Sequence, residues 1–469
     1  MVQLQLSKTF IFLFALCAFL AAQQNSEQIL VTGDQLNGRV ENGQSVREVI
    51  GNVVLKQGNV VINCERAIQY LMQNNAHLIG NVIVKQDTLT IKTPEGYYYG
   101  NERRAYSNAG VELNDKKIIL TAFEGEYFFK EQRAFFRQHV KLYDTASTLT
   151  SEKLLYYRTI NKAVAYQRVK IVESDNTIYS DSLIYLRSEK ISYAFENTIL
   201  QNKADALVIF GNHLEDYRKK SFSIVDKDPL LVQLDTMYND KKDSVIKIDT
   251  LVIKSLKLEA RRDSTNLFIA TDSVKIIRGD FSSRNDITYY NRQKEYIDIW
   301  KTSDSAKVPV LWFTLSQMTG DSIRINLSDN KIKLVNIKKN AMILSRNEKY
   351  TSRYDQLSGS NIKLHFDNNK LTRTEIEGNA LSYYYFYDEE EPSGIMKSSA
   401  KSIVAFFNDN KVDDVKMYGD PRSEFHPENL VEGKEKQFSL PGFTIYSDKP
   451  VKEKLIQQQH YRFLENKLK

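Results

Sequence analysis

The sequence predicts an all-β chain: an elongated repeat β-jellyroll of two facing antiparallel sheets, built from hairpin repeats of about 29 residues. Three observations predict it. The heptapeptide Gly51-Asn52-Val53-Val54-Leu55-Lys56-Gln57 returns as Gly80-Asn81-Val82-Ile83-Val84-Lys85-Gln86, 29 positions on. Several columns then hold that step, among them Val53, Val82, Val111, Val140 and Val169, which chance does not keep in phase over five copies. Finally, 27 tyrosines and 23 phenylalanines stand against only 8 prolines, a balance that favours extended strands.

The first residues are of another kind. Lys8 precedes the apolar run Phe10 to Leu20, which ends at Ala21-Ala22. A basic residue, a short apolar run and a small-residue exit read as a signal peptide over 1–22. The run is shorter than the ~20 residues a membrane helix needs. Cys17 lies within it, preceded by Leu16 where a lipoprotein signal carries a small residue. Beyond the leader the only cysteine is Cys64, so no internal disulfide is expected.

Residues 23–222 are expected to form the first repeat array. Each copy reads as two strands and two turns. Ala76, Leu78, Gly80, Val82 and Val84 alternate as one apolar or small face, followed one copy later by Ala105, Ser107, Ala109, Val111 and Leu113. A period of two marks a sheet with one dry side. A single sheet cannot leave that side in water, so the array must fold over on itself. Turns fall at Gly100-Asn101, Glu131-Gln132 and Ile160-Asn161, and an aromatic column runs Tyr70, Tyr99, Phe128, Tyr157. The inward positions are Val53, Leu55, Val82, Val84, Val111, Leu113, Val140, Leu142, Val169 and Ile171.

The phase is lost after Ser223, so 223–262 reads as a junction or insertion. A second array follows over 263–447, with polar hairpin turns at Asp329-Asn330-Lys331, Asn368-Asn369-Lys370 and Asp409-Asn410-Lys411. Residues 448–469 read as a polar carboxyl-terminal tail, either a short surface helix or flexible. The stretches Ile29 to Val40 and Phe438 to Tyr446 are candidate edge strands, open to pairing with another chain.

The repeated Gly-Asn-Val hairpins resemble the OstA-like domain of the lipopolysaccharide-transport proteins, the β-jellyroll family of LptA and the amino-terminal part of LptD. Pro309-Val310-Leu311-Trp312, the run Gln317 to Ile323 and Tyr354-Asp355-Gln356-Leu357-Ser358-Gly359 resemble the long OstA-like proteins of Bacteroidota. The resemblance spans roughly residues 30–445. It implies a periplasmic protein, associated with the outer membrane, whose groove shields lipid A acyl chains. The ten inward positions would then bind lipid. The implied partners are lipopolysaccharide or lipooligosaccharide and other Lpt-type envelope proteins, namely an inner-membrane complex and an outer-membrane barrel, met by edge-strand pairing. The chain is far longer than the small bridging members and lacks the barrel of the outer-membrane partner.

Other function classes find little support in the residues. Basic residues are dispersed at a net charge of +6, with no block suited to nucleic acid. His77, His139, His213, His365, His426 and His460 show no paired ligand spacing, so neither metal nor cofactor is expected. Ser398-Ser399-Ala400-Lys401 and Ser328-Asp329-Asn330 stand in reversed order for a penicillin-binding serine enzyme, with no Lys-Thr-Gly following. No enzyme is expected. The residues alone leave a second reading open: a structural or adhesive secreted β-solenoid whose inward columns form a closed core with no lipid ligand.

Overall fold

The computed structural model describes residues 28–238, 245–328, 331–368, 370–408 and 411–467. The expected leader and Cys17 lie outside the described residues, as do Asp329-Asn330, Asn369 and Asp409-Asn410. The chain divides into two compact units, residues 1–167 and 168–469. Antiparallel strands dominate both.

The first unit contains β1 (Leu30–Thr32), β2 (Gln35–Glu41), β3 (Gln44–Gln57), β4 (Val60–Tyr70), β5 (Asn75–Gln86), β6 (Leu89–Tyr99), β7 (Arg104–Ser107), β8 (Val111–Asn114), β9 (Ile119–Ala122), β10 (Glu124–Phe128), β11 (Arg133–Tyr143) and β12 (Thr148–Tyr157). β13 (Lys162–Val172) carries the chain into the second unit. Each long strand bends once near its middle. In β5, Ile79 pairs with Glu95 and Val82 with Thr93, so Gly80 and Asn81 together face one residue of β6. This is a β-bulge. Both bulge residues are left-handed, Gly80 at φ +80° and Asn81 at +46°. The same pair recurs at Gly51-Asn52 and Gln138-His139.

These corners account for the repeated Gly-Asn. Asn tolerates the left-handed region better than most residues, and its amide binds a carboxylate of the neighbouring segment. Asn52 donates to Asp34 at 2.9 Å and Asn81 to Glu65 at 2.5 Å. A Cβ at Gly80 would lie 2.8 Å or less from three Glu65 side-chain atoms. Gly80 is therefore a corner residue, not a member of the inward row to which alternation assigned it. The bulge adds one residue to β5, so Leu78 and Val82 still face the same way. On β6 the buried set changes parity instead, from Leu89 and Ile91 to Gly96 and Tyr98.

Every bend falls in step, so the half-strands before and after the corners form two arms of one folded sheet. One arm contains β7 and β10, and the other β8 and β9, where the corner splits a strand in two. Both arms contribute side chains to a shared interior. β1 and β2 ladder onto the two halves of β3 and carry the unit's edge. All seven residues of β2 are exposed.

The second unit repeats the bend, for example at Glu196-Asn197, Asp272-Ser273, Lys339-Asn340 and Gly378-Asn379. Residues 223–262, expected as a junction or insertion, hold strands over most of their described length: Phe222–Asp226, Leu230–Tyr238, Val245–Lys254 and Lys257–Arg261. Their period is hidden because one arm is dry on both faces. Leu207-Val208-Ile209-Phe210, Leu230-Leu231-Val232 and Leu251-Val252-Ile253 are buried without alternation, as strands covered on both sides are. Ile209, Leu231 and Ile253 pair along one face of this arm. The chain's own carboxyl-terminal segment covers the opposite face.

That segment corrects one expectation and sharpens another. Phe438 to Tyr446 forms no strand and offers no ladder edge. It turns once at Pro441-Gly442 and packs against Met342, Leu344, Tyr383 and Tyr385. Of the two readings of the tail the short helix holds, over Gln458–Lys467, but it is packed down rather than free. The helix Gln458–Lys467 and the preceding Leu455 and Ile456 pack on Val208, Phe210, Val232 and Val252. Two buried glutamines clamp the strap as a neighbouring strand would. Gln356 donates to Phe438 O at 2.7 Å and accepts from Leu440 N at 2.8 Å, while Gln317 donates to Thr444 O and accepts from Tyr446 N, both at 2.8 Å. Arg353 anchors its start, bonded to Glu428 at 3.0 Å and 3.6 Å from Glu435.

Candidate functional site

The interior of the first unit is the candidate site. Val53, Leu55, Val82, Val84, Val111, Leu113, Val140 and Leu142 are all buried on its inward rows, and Val169 and Ile171 are buried on β13. The aromatic column at Tyr99 and Phe128 faces away, where Arg104 and Arg133 lie over those rings at 4.1 and 4.7 Å. The inward aromatics are their sequence neighbours Tyr98, Tyr127 and Tyr156, each at most 2 % exposed. Periodicity alone does not single them out, because the outward column holds the same step of 29.

Corners close one side of the interior. The opposite rims meet through a seam of polar side chains. Tyr98 donates from its hydroxyl to Gln57 at 2.5 Å, and Tyr156 to Asp115 at 3.0 Å. Gln57 in turn donates to Gly100 O at 3.1 Å. Turns facing each other add Arg103 to Asn59 at 2.9 Å and Arg158 to Thr88 at 2.8 Å. Each of these bonds uses at least one side chain, and none is part of a strand ladder. The signal was present in the sequence: Gln57, Gln86 and Asp115 put a polar residue at the end of an otherwise dry alternation.

Within this closed space the packing thins at one place. Gly96 and Gly125 stand where the same column later carries Leu154, and Ser107 stands between Leu78 and Phe136. Together with Val82, Val111 and Tyr127 they line a small cavity. Its free volume is about 20 Å³, room for roughly one water. The arms as they stand hold no alkyl chain, and chain binding requires the seam to part.

Charged chemistry is sparse around the interior. Cys64 is buried, with its thiol pushed up to about 11 chiefly by desolvation, so it is an inert side chain rather than a nucleophile. In the second unit Asp355 accepts a bond from Tyr385 N at 2.9 Å, and burial pushes its carboxyl up to about 7. Among the described residues no three His, Cys, Asp or Glu gather as metal ligands would. No helix of the described residues is long and apolar enough to cross a membrane.

Fold and site together define a class: a repeat of antiparallel hairpins, bent at left-handed corners into a two-armed β-jellyroll around an apolar interior. Residues 26–181 match the family model described as OstA-like protein, and over that stretch the chain is OstA-like. The match covers the first unit almost entirely. A crystal structure of LptH, described as the LptA homologous periplasmic component of the conserved lipopolysaccharide transport device from Pseudomonas aeruginosa, is similar at 14% identity. That similarity covers 36% of this chain and 82% of that chain, with a TM-score of 0.12, at which the two do not superpose as wholes. No curated protein matches the sequence.

Proposed function

We propose that the chain is a periplasmic component of lipopolysaccharide transport, and that its first unit shields lipid A acyl chains between the two arms. One observation carries this reading: the arms are continuous at the corners, but opposite them only side-chain bonds close the rim. Such an interior can open with every ladder intact, at the cost of a few hydrogen bonds, each worth about 1 kcal/mol net, and of parting the apolar rows packed between the arms. Each methylene then buried would contribute about 0.8 kcal/mol. The OstA-like match over this same unit supports the assignment. The small size of the cavity favours a second reading, a permanently closed structural core. A photo-crosslinking residue at Val111 separates the two in cells. It should trap glycolipid, whereas the outward Glu112 should not. A crosslink at neither position would leave only the closed core.

Partners would meet the chain by strand addition at its edge. β2 is the suitable strand, with Leu36 and Val40 exposed by 57% and 73%. Leu36→Lys with Val40→Lys should reduce co-purification with other envelope proteins without lowering the melting temperature, because charge blunts an edge strand. Unchanged co-purification would mean that β2 is an ordinary terminus.

A further inference from the structure

We propose that the seam opens between Tyr127 and Gln86, and that these two side chains receive the polar linkage of an acyl lipid whose chain enters there. The proposal rests on the chain-shielding reading above and adds where the lipid enters and what recognises it. The repeat supplies the first argument. Tyr98 with Gln57 and Tyr156 with Asp115 form hydrogen-bonded latches. Tyr127 and Gln86 occupy the same two columns, 29 residues after the first latch and 29 before the second. Yet these two make no bond to one another: Gln86 turns its amide to Asn59 at 3.3 Å and leaves Oε1 buried without a partner, and the buried Tyr127 hydroxyl has only the Arg158 guanidinium near it. One latch in three is unmade, and it is the middle one.

The second argument is position. Tyr127 lines the cavity where Gly96, Ser107 and Gly125 thin the packing. Phe129 stands edge-on to Tyr127 at 4.9 Å and to Tyr98 at 6.0 Å, so an apolar wedge sits at the unmade latch. Burial pushes the Tyr127 hydroxyl up to about 12, against the pull of the Arg158 guanidinium, which keeps it a neutral donor. Buried groups left unpaired are costly, and a ligand that pairs both removes that cost. Tyr127 would donate to an ester or amide carbonyl. Gln86 Oε1 would accept from an amide N–H or hydroxyl beside it. The matching ligand is an alkyl chain joined through an acyl linkage, not a bare hydrocarbon.

The full mature chain can be titrated with N-hexadecanoyl ethanolamine, and with diphenylhexatriene as an apolar probe that lacks the linkage. Tyr127→Phe and Gln86→Leu should each weaken the acyl amide about fivefold, the loss of one hydrogen bond, and leave diphenylhexatriene unchanged. Neither should lower the melting temperature appreciably, since neither breaks a latch that is made. Tyr98→Phe and Tyr156→Phe break latches that are made, so they should lower the melting temperature without weakening the acyl amide. If Tyr127→Phe and Gln86→Leu bind both probes as the parent does, the portal is wrong and chain shielding stands. Equal weakening for both probes would mean a change in cavity shape, and would also overturn the portal. A parent chain that binds neither probe would remove both proposals.

Discussion

Val111→Asp is expected to unfold the first unit. Val111 is 7% exposed and sits between arms that leave room for roughly one water, so a carboxylate there has neither solvent nor a cation to pair with. Burying an unpaired charge costs several kcal/mol, a large share of the ~5–15 kcal/mol that stabilises an ordinary domain. The loss should appear as a collapsed melting transition for this unit. Glu112→Gln, one residue away on the outward face, should change stability by no more than about 0.5 kcal/mol. An interior standing open to water in the absence of lipid would let Val111→Asp melt with the parent. Thermal melts of the two variants therefore test the closed geometry directly, before any lipid is added.

The second large effect concerns pH. Asp355→Asn should stabilise the second unit at pH 8 and make little difference at pH 4. The folded carboxyl titrates near 7 because it is desolvated, whereas an unfolded aspartate titrates near 3.9. Below ~4 both states hold the proton, and the group has no effect on stability. As pH rises toward 7 the unfolded chain releases its proton while the folded one retains it, so stability falls. The full deficit is present above 7. Allowing for its partial exposure, the deficit is on the order of 2 kcal/mol. Asn keeps the oxygen that accepts from Tyr385 N but carries no charge. Melting temperatures of parent and variant should diverge steadily between pH 4 and 8. A constant gap would show that Asp355 ionises normally in the folded chain.

Much of this architecture was legible in the residues, and what escaped did so for definable reasons. Alternation put all ten aliphatics at buried positions because the corner bulge adds one residue and preserves parity, as between Leu78 and Val82. The same regularity concealed the corner itself: Gly80 looks like a small inward residue when only the period of two is counted. The inward tyrosines were masked by outward aromatics beside them at the same step. Leu207 to Phe210 defeated the alternation rule because burial on both faces removes the polar half of the pattern. The strap was unreadable for another reason. Gln317 and Gln356 hold it through backbone groups of Phe438, Leu440, Thr444 and Tyr446, contacts up to 129 residues apart that leave no periodic trace. The stretches that resemble long OstA-like chains, around Gln317 and Gln356, include these clamps.

The strap also sets an order of events. The cover for the second unit's apolar outer face lies after the whole sheet in the chain, so during synthesis it emerges later than the strands it protects. Until then Val208, Phe210, Val232 and Met342 face solvent as a broad greasy wall, a surface on which unfinished chains would adhere to one another. Slow delivery of the final segment would be felt as aggregation rather than as lost binding.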